Sequence, residues 1–360
     1  MTREEDVERK IKLIREYMKQ RGASGTLIRK TYNFSWITGG GRSYILPSDS
    51  EGMAYVFITM NDSYIIANNN EVNRLKNEEL TENFSLVSSP WFMSLEDMVL
   101  KVADDQKILY EEDADFNSFL FHSRTVLSTY EIEKYAEVGR QTATALERAM
   151  RMLNPKMTEI EVKALIMHEL TIEGVEPLLV LVFGNNSRKL YKHNLPRNIE
   201  ISDVCIASVC ARLHGLIVSA TRSVEFTANT EFERMYATNA EIDAEIIHSS
   251  YEHSLISQVF FDIENIYEKH GFPLEWQRHH QGGIAGYKTR EVLARPHLPF
   301  QLKKNMAFAW NPTLEGTKSE DTYLRTSDEM RLLTRGTSEW PYLEFEINGT
   351  KYRRPALLKF

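Results

Sequence analysis

Three capping boxes mark the starts of three helices and limit which segments remain available for strands. Thr2, Ser128 and Thr158 are each followed three residues later by a glutamate, the spacing at which the two side chains cap a helix N-terminus reciprocally. The first box opens an amphipathic helix that ends at Gly22. The other two open helices that are separated by a break at Pro155.

The segments between the first and second boxes alternate between strand and helix patterns. Short β-rich runs read GTLIR, MAYVFIT and YIIAN, and the helical segment NEVNRLKNEEL and the strand-like segment KILYEED follow them. This alternation predicts an α/β N-terminal domain over residues 1–122.

Beyond the third box, helices and strands are grouped differently. The strand patterns are LLVLVFG, DVCIASVCARL and GLIVSATRSVEF, and then, after one long predicted helix over residues 229–270, MAFAWNPTL, DTYLRT and YLEFEI. Helices grouped beside a mostly antiparallel sheet predict an α+β second domain over residues 123–360. A chain of 360 residues is too long for one ordinary core, which also favours two domains.

Charge and hydropathy disfavour several classes of partner and location. The net charge is −8 with acidic and basic residues interleaved, which disfavours nucleic acid as the main partner. No apolar run reaches the roughly 18 residues of a membrane span, and the N-terminus lacks the apolar segment of a signal peptide. Cys205 and Cys210 lie five residues apart in one strand, and an odd spacing points them to opposite faces. We therefore expect free thiols in a cytoplasmic protein.

Three stretches carry side chains suited to catalysis or ligand binding. His193 lies in a loop after a buried strand, a favoured place for function, although a lone loop histidine is more often solvated and idle. His279 and His280 precede two glycines, where the alternatives are a metal site, a metal-free catalytic site or a tight turn. Glu320 and Asp321 begin a strand and therefore face opposite ways, so at most one of them can point into a cleft.

The order of these motifs resembles that of the creatinase, Xaa-Pro aminopeptidase and methionine aminopeptidase superfamily. The resemblance is carried by YNFSWITGGGRSYI in the first domain and by MTEIEVKALIMHEL, FGNNS, KHNLP, SDVCIASVCARLHGLIVSATRS, HHQGGIAGYKTRE, MAFAWNP and KSEDTYL in the second. It implies a creatinase-type N-terminal domain, a C-terminal pita-bread domain with a mostly antiparallel curved sheet, and a homodimer. The most similar members are expected to be the Xaa-Pro peptidases.

The resemblance also implies where a metal centre would lie. The superfamily's peptidases hold two divalent cations with an aspartate, a second aspartate eleven residues later, a histidine and two glutamates, which together polarise a carbonyl and generate hydroxide. Here the aspartate positions fall on Ser208 and Ser219, and the first glutamate falls on Asn311 before Pro312. Arg290 lies near the place of a second family histidine. By themselves, strand serines and an asparagine before proline are ordinary residues.

The remaining family positions keep their residue types. Glu320 matches the second glutamate, either His279 or His280 matches the metal-binding histidine, and His193 matches the loop histidine that assists substrate binding and proton transfer. One carboxylate and one histidine cannot hold two cations, although a single weak cation stays open. The resemblance therefore implies a degenerate metal site, and we expect no metal and no other cofactor.

Three functions remain open from the sequence. The first is a Xaa-Pro peptidase relative that binds a small peptide or amine without metal-dependent turnover. The second is a creatinase-like, metal-free hydrolase of a small C–N compound, with a histidine as acid and base and carboxylates that bind a guanidinium. The third is a Xaa-Pro peptidase with a single-metal site. The expected pocket residues are the catalytic candidates His193, His279, His280 and Glu320, and the former metal positions Ser208, Ser219 and Asn311.

Overall fold

The computed structural model describes residues 1–103 and 107–360. By contacts the chain divides into two units, one formed by Met1–Lys134 with His214–Leu216 and the other by Tyr135–Leu213 with Ile217–Phe360. Among the described residues, no helix combines the length and the apolar character needed to cross a membrane.

The first unit is an α/β unit with a mixed sheet. Its helices are α1 (Arg3–Arg21), α2 (Thr31–Ile37), α3 (Val72–Arg74), which continues into a π-helical turn, α4 (Leu95–Ala103) and α5 (Ala114–Arg124). Its strands are β1 (Gly25–Lys30), β2 (Glu51–Thr59), β3 (Ser63–Asn68), β4 (Ser85–Ser89) and β5 (Ile108–Tyr110), arranged in the order β4-β3-β2-β1-β5. The pairs β1–β2 and β2–β3 are antiparallel, whereas β3–β4 and β1–β5 are parallel.

The division between the units falls inside helix α6 (Thr129–Arg151), whereas the sequence placed the domain boundary at residue 122. The start of α6 is tied to the first unit by a buried ion pair of 2.9 Å between Lys10 and Glu131. The hydroxyl of Tyr130 also donates a hydrogen bond of 3.1 Å to the carbonyl of Gly39. These contacts explain why the first turn of α6 groups with the N-terminal unit.

The second unit contains helices beside mostly antiparallel sheets. Its further helices are α7 (Glu159–Ile172), α8 (Ser187–Leu190), α9 (Thr230–Glu252) and α10 (Ile256–Lys269).

One sheet of the second unit has the order β16-β8-β7-β6 and is formed by β6 (Glu176–Phe183), β7 (Val204–Leu213), β8 (Leu216–Glu225) and β16 (Leu358–Lys359). The other large sheet has the order β10-β9-β11-β12-β13 and is formed by β9 (Gly282–Ala285), β10 (Val292–Leu293), β11 (Ala307–Trp310), β12 (Asp321–Arg325) and β13 (Met330–Leu332). Strands β14 (Tyr342–Ile347) and β15 (Thr350–Pro355) form an antiparallel pair. The predicted fold class is thus confirmed.

All three predicted capping boxes are present. At Thr2 and at Thr158, the side chain accepts from the third helical residue and the glutamate there caps in return. At Ser128, the backbone N–H donates to the carboxylate of Glu131 at 2.7 Å, and the hydroxyl of Ser128 accepts from the Glu131 backbone at 3.1 Å. Local sequence therefore sets these helix starts.

The single long helix expected over residues 229–270 is wrong, because the chain forms two helices, α9 and α10. His253 and Leu255 adopt extended backbone conformations between them. Leu255 forms a β-bridge with Gln301, and the carbonyl of Ser254 accepts a hydrogen bond of 2.8 Å from the Leu302 N–H. Pairing with a distant segment replaces the helical hydrogen bonds at this point.

Hydrogen bonds join the two large sheets and bring β8 beside the start of β12. The Thr221 N–H donates to the carbonyl of Glu320 at 2.8 Å, and the Ser219 N–H donates to Oγ1 of Thr322 at 2.8 Å. These bonds hold Ser219 on β8 close to Glu320, which directly precedes β12, although about a hundred residues separate the two in the chain.

A buried ionic network fixes the direction of Asp321. Its carboxylate forms ion pairs of 3.0 Å with Arg222 and 3.1 Å with Arg354, and all three side chains are fully buried. Arg222 also binds Glu147 at 2.9 Å. Because neighbouring strand residues face opposite ways, Asp321 in this network leaves Glu320 on the other face, where the cavity described below lies.

Candidate functional site

A cavity of about 150 Å³ in the C-terminal unit gathers most of the residues singled out in the sequence. Five of them line it: His193, Ser208, His280, Asn311 and Glu320. The other two predicted residues contact its walls, since Ser219 binds Arg290 and His279 lies against His193. The predicted residues are therefore neighbours, while their chemical roles stay predictions.

The hydroxyl groups of the two strand serines, Ser208 and Ser219, both form hydrogen bonds within the protein. Ser208 on β7 shares a hydrogen bond of 2.6 Å with the hydroxyl of Thr221. The hydroxyl of Ser219 on β8 accepts a hydrogen bond of 3.1 Å from Nη1 of Arg290, and it lies 3.4 Å from the thiol of Cys210. Both hydroxyls thus have partners on adjacent strands.

Three imidazole rings cluster at one side of the site, and two of them, His193 and His280, line the cavity. His193 follows α8, and His279 and His280 lie between a 3₁₀ turn and β9. The Nε2 atoms of His193 and His279 are 3.2 Å apart, and the rings of His279 and His280 stack with their centroids 4.3 Å apart. Both histidines of the pair therefore belong to the site.

The histidine pair leads into a strand, so the tight turn considered for this segment is wrong. Gly282 and Gly283 form the first half of β9, with φ angles of 104° and 150° that strain any residue with a Cβ. A Cβ at these positions would collide with the carbonyl oxygens of Ala309 and Val292 on the two flanking strands. The glycines are needed because β9 lies close to both neighbours.

All three histidines are held in the neutral form. Burial lowers the pKa of His279 to about 2, and the positive charge of Lys318 acts in the same direction. His280 keeps an exposed surface, but the partial burial of its ring, together with the charges of Arg290 and Lys318, lowers its pKa to about 4. His193 is also exposed, and the partial burial of its ring and the charge of Lys318 lower its pKa. The rings add no positive charge to the site at pH 7.

Glu320 is bound by two cations. Its Oε1 accepts a hydrogen bond of 2.7 Å from Nη2 of Arg290, and its Oε2 lies 3.4 Å from Nζ of Lys318. Burial alone would raise the pKa of Glu320, but the attraction of Lys318 and Arg290 holds that pKa below its ordinary value. The carboxylate is therefore ionised and already has two counter-charges.

Asn311 lies at the end of β11 and is almost fully buried, with 3% of its surface exposed. Its backbone N–H donates to the carbonyl of Gln281 at 3.0 Å, which ties it to the segment before β9. Its side-chain Oδ1 has no hydrogen-bond partner among the described residues. The amide oxygen is therefore an unsatisfied hydrogen-bond acceptor at the cavity wall.

Arg290 and Lys318 were not among the catalytic or pocket residues selected from the sequence. Both lie inside motifs that carried the resemblance, HHQGGIAGYKTRE and KSEDTYL. The available signal was the charge change at Arg290, an arginine near the place of a family histidine. Lys318 gave no comparable signal, because a lysine two residues before a strand glutamate is ordinary in any sequence.

Two groups of side chains could hold a metal ion among the described residues. The first is His193, His279 and His280, and the second is Glu241, Glu245 and His270; in each group the candidate ligand atoms lie within 4.8 Å of one another. Glu245 already pairs with Lys269 at 3.0 Å and with His270 at 2.7 Å. The first group lies at the cavity and is relevant to the function considered below.

Comparisons of sequence with known families and proteins gave two results. The sequence profile of metallopeptidase family M24 matches residues 133–331, and that of the creatinase/prolidase N-terminal domain matches residues 10–138. A search of curated proteins gave no match.

Solved structures show the same fold over nearly the whole chain. The X-Pro aminopeptidase from Thermotoga maritima MSB8 is 17% identical with a TM-score of 0.76, covering 98% of this chain and 99% of that one. The Xaa-Pro dipeptidase from Bacillus anthracis is 14% identical with a TM-score of 0.74, covering 98% and 100%. The N-terminal domain of the FACT complex subunit SPT16 from chickpea, Cicer arietinum, is 12% identical with a TM-score of 0.65, covering 92% and 96%. At these identities the similarity shows the two-domain pita-bread fold.

Proposed function

The chain belongs to metallopeptidase family M24, and on this premise we propose that its cavity binds a small peptide without metal-dependent peptide hydrolysis. The observation that carries the proposal is the pairing of Glu320 with Arg290 and Lys318. The one glutamate that matches the family's ligand pattern is thus already neutralised by side chains of the chain itself.

The residues at the family's metal positions do not fit two divalent cations. Hard cations require several anionic oxygens, and Ser208, Ser219 and Asn311 supply none. The serine hydroxyls are engaged with Thr221 and Arg290. This donor set supports the proposal that the dinuclear centre is degenerate.

The positive charges of Arg290 and Lys318 beside Glu320 also repel a metal cation. Arg290 reaches both Glu320 and Ser219, the positions of two ligands in the family pattern. Two unit charges about 4 Å apart repel by roughly 4 kcal/mol at an effective dielectric constant near 20, and a divalent ion doubles the effect. A metal ion would therefore have to displace the guanidinium to use this carboxylate.

A single-metal hydrolase is the second candidate, and the histidine cluster favours it. Neutral imidazoles are good ligands for zinc, and metal–nitrogen bonds of about 2.0–2.1 Å on a tetrahedral ion place two nitrogens roughly 3.3 Å apart. The observed Nε2–Nε2 distance between His193 and His279 is 3.2 Å. Lys318 opposes this candidate. Its positive charge disfavours a proton on the His279 ring, and it would disfavour a bound metal cation for the same reason.

The metal-free C–N hydrolase and the amine ligand are less well supported. A guanidinium or amine would need a carboxylate that is free to bind it. The carboxylate of Glu320 is occupied at both oxygens by Arg290 and Lys318. A peptide suits the cavity better, because its C-terminal carboxylate can bind the cations Arg290 and Lys318.

The proposed function is tested with the dipeptide Gly-Pro. Calorimetry in excess EDTA should show saturable binding, and chromatography should detect no free proline in EDTA or after addition of Mn²⁺ or Zn²⁺. Arg278→Gln is the control, because Arg278 lies outside the cavity with 61% of its side chain exposed. Release of proline on addition of metal would show metal-dependent hydrolysis and contradict the proposal, and absence of binding would contradict it as well.

We also propose that the protein is a cytoplasmic homodimer. The superfamily resemblance supports the dimer, and light scattering of the purified protein tests it. The unpaired, buried thiols of Cys205 and Cys210 support a reducing compartment. Fluorescent tagging and fractionation of the producing cell would test the location.

A further inference from the structure

We infer, on the basis of the proposed function, that the bound molecule presents a carboxylate to Arg290 and Lys318. The cavity is therefore a site for an anionic group, held where the family pattern would place cations. Four features of the site carry this inference: its charge, its free donors, its volume and its apolar wall.

The cavity wall carries a surplus of positive charge. The charged side chains that line it, among the residues described, are Arg290, Lys318 and Glu320, which are two cations and one anion. Their side chains are only 11%, 7% and 6% exposed. An uncompensated buried charge is costly, and a bound anion removes that cost. The chain itself thus leaves one positive charge for a ligand to neutralise.

Hydrogen-bond donors remain unused beside this charge. Lys318 has three N–H groups, and its ion pair among the described residues is the 3.4 Å contact with Glu320. Nε of Arg290 is buried and has no partner in the described part of the chain. Asn311 is equally unpartnered at Oδ1, and rotating its amide would turn an NH₂ group to an anion. A carboxylate can accept from all three side chains.

The size and the lining of the cavity limit the ligand. A volume of about 150 Å³ is comparable to a protein cavity that admits benzene, so roughly six non-hydrogen atoms fit inside. Leu179, Leu181 and Val209 supply an apolar wall against which a short aliphatic group packs. One surplus positive charge matches a carboxylate monoanion, whereas a phosphate dianion would exceed it. The ligand class is a small carboxylate, such as the C-terminal residue of a dipeptide.

The first test compares ligands that differ only in the carboxylate. Calorimetry in EDTA would use Gly-Pro, its C-terminal amide Gly-Pro-NH₂, and inorganic phosphate. Gly-Pro should bind at least tenfold more tightly than the amide and than phosphate. Equal affinity for acid and amide would overturn the inference and leave the proposed function intact. Tighter binding of phosphate would overturn the carboxylate assignment, and absence of binding by both peptides would overturn the proposed function itself.

The second test changes the charge of the cavity with a matched pair of variants. Ser208→Asp and Ser208→Asn introduce side chains of nearly equal size that differ by one negative charge at the wall. The aspartate variant should bind Gly-Pro at least tenfold more weakly than the asparagine variant, while Gly-Pro-NH₂, which lacks the carboxylate, should bind the aspartate variant no more weakly. Arg278→Gln should behave as the parent protein. Equal Gly-Pro affinities of the two Ser208 variants, with circular dichroism showing both folded, would contradict the inference.

Discussion

The guanidinium of Arg290 donates a hydrogen bond of 2.7 Å to Oε1 of Glu320, and both side chains are nearly buried. The family pattern gives this glutamate a metal ion as its counter-charge. Here a side chain of the same chain supplies that charge, together with Lys318. This pairing and the neutral histidines beside it determine how the protein responds to metal, to pH and to substitution.

Protein purified without chelator should contain well under one equivalent of manganese, cobalt or zinc per chain. The reason is that Ser208, Ser219 and Asn311 provide no anionic oxygen for a metal. Elemental analysis of dialysed protein measures the content. Two tightly bound ions per chain would contradict the proposed degenerate centre, and one ion lost on mutation of His279 would establish the single-metal site.

Restoring the family's ligand set should restore metal binding, and the binding should be tighter when Arg290 is also replaced. The triple variant Ser208→Asp, Ser219→Asp and Asn311→Glu regains the carboxylates but keeps the guanidinium. Adding Arg290→His should raise the affinity for Mn²⁺ at least a further tenfold, because a competing cation is lost. Calorimetry would compare the triple and quadruple variants. Equal affinities would mean that Arg290 does not compete with a metal.

Glu320→Gln should destabilise the protein at pH 7 by about 3 kcal/mol, because it leaves two buried cations without their counter-charge. The folded-state pKa of Glu320 is lowered, so its contribution is present above the unfolded-state pKa and is lost as pH falls through the folded-state pKa. The difference in unfolding free energy between the parent protein and the variant should therefore become smaller below about pH 4. Urea unfolding across this range measures it.

Glu329→Gln is the control for this substitution. Glu329 also pairs with an arginine, at 3.5 Å from Arg331, but 61% of its side chain is exposed. A surface pair of this kind contributes at most about 1 kcal/mol. A loss of stability in Glu320→Gln that does not change with pH would contradict the assigned role of its charge.

His279→Gln should make stability less dependent on pH between about pH 6.5 and pH 4. The folded-state pKa of His279 is lowered to about 2, so the ring stays neutral in the folded chain while it gains a proton in the unfolded chain. The contribution of this neutral ring to the free energy of unfolding is full above the unfolded-state pKa. Below that pKa it falls by about 1.4 kcal/mol per pH unit. Unfolding free energies at four pH values would give the slope, and an unchanged slope would contradict the prediction. His168→Gln, an exposed site on α7, is the control.

Much of the fold could be predicted from the sequence because it depends on local interactions. A capping box needs only a hydroxyl and a carboxylate three residues apart, and all three boxes form as expected. Alternation along strands likewise separated Glu320 from Asp321, which faces the buried network of Arg222 and Arg354. The order of motifs was enough to identify the superfamily and its two domains.

Tertiary structure alone decided where pairing between distant segments overrides local preference. The sequence between α9 and α10 has a helical pattern, but Leu255 pairs with Gln301 and the helix breaks there. The charge balance of the cavity also depends on contacts between residues that are distant in the chain. Arg290 and Glu320 lie 30 residues apart, and their contact depends on how the segments that precede β10 and β12 pack. Composition cannot reveal such a pair, because the energy of a buried charge depends on which side chain the fold places beside it.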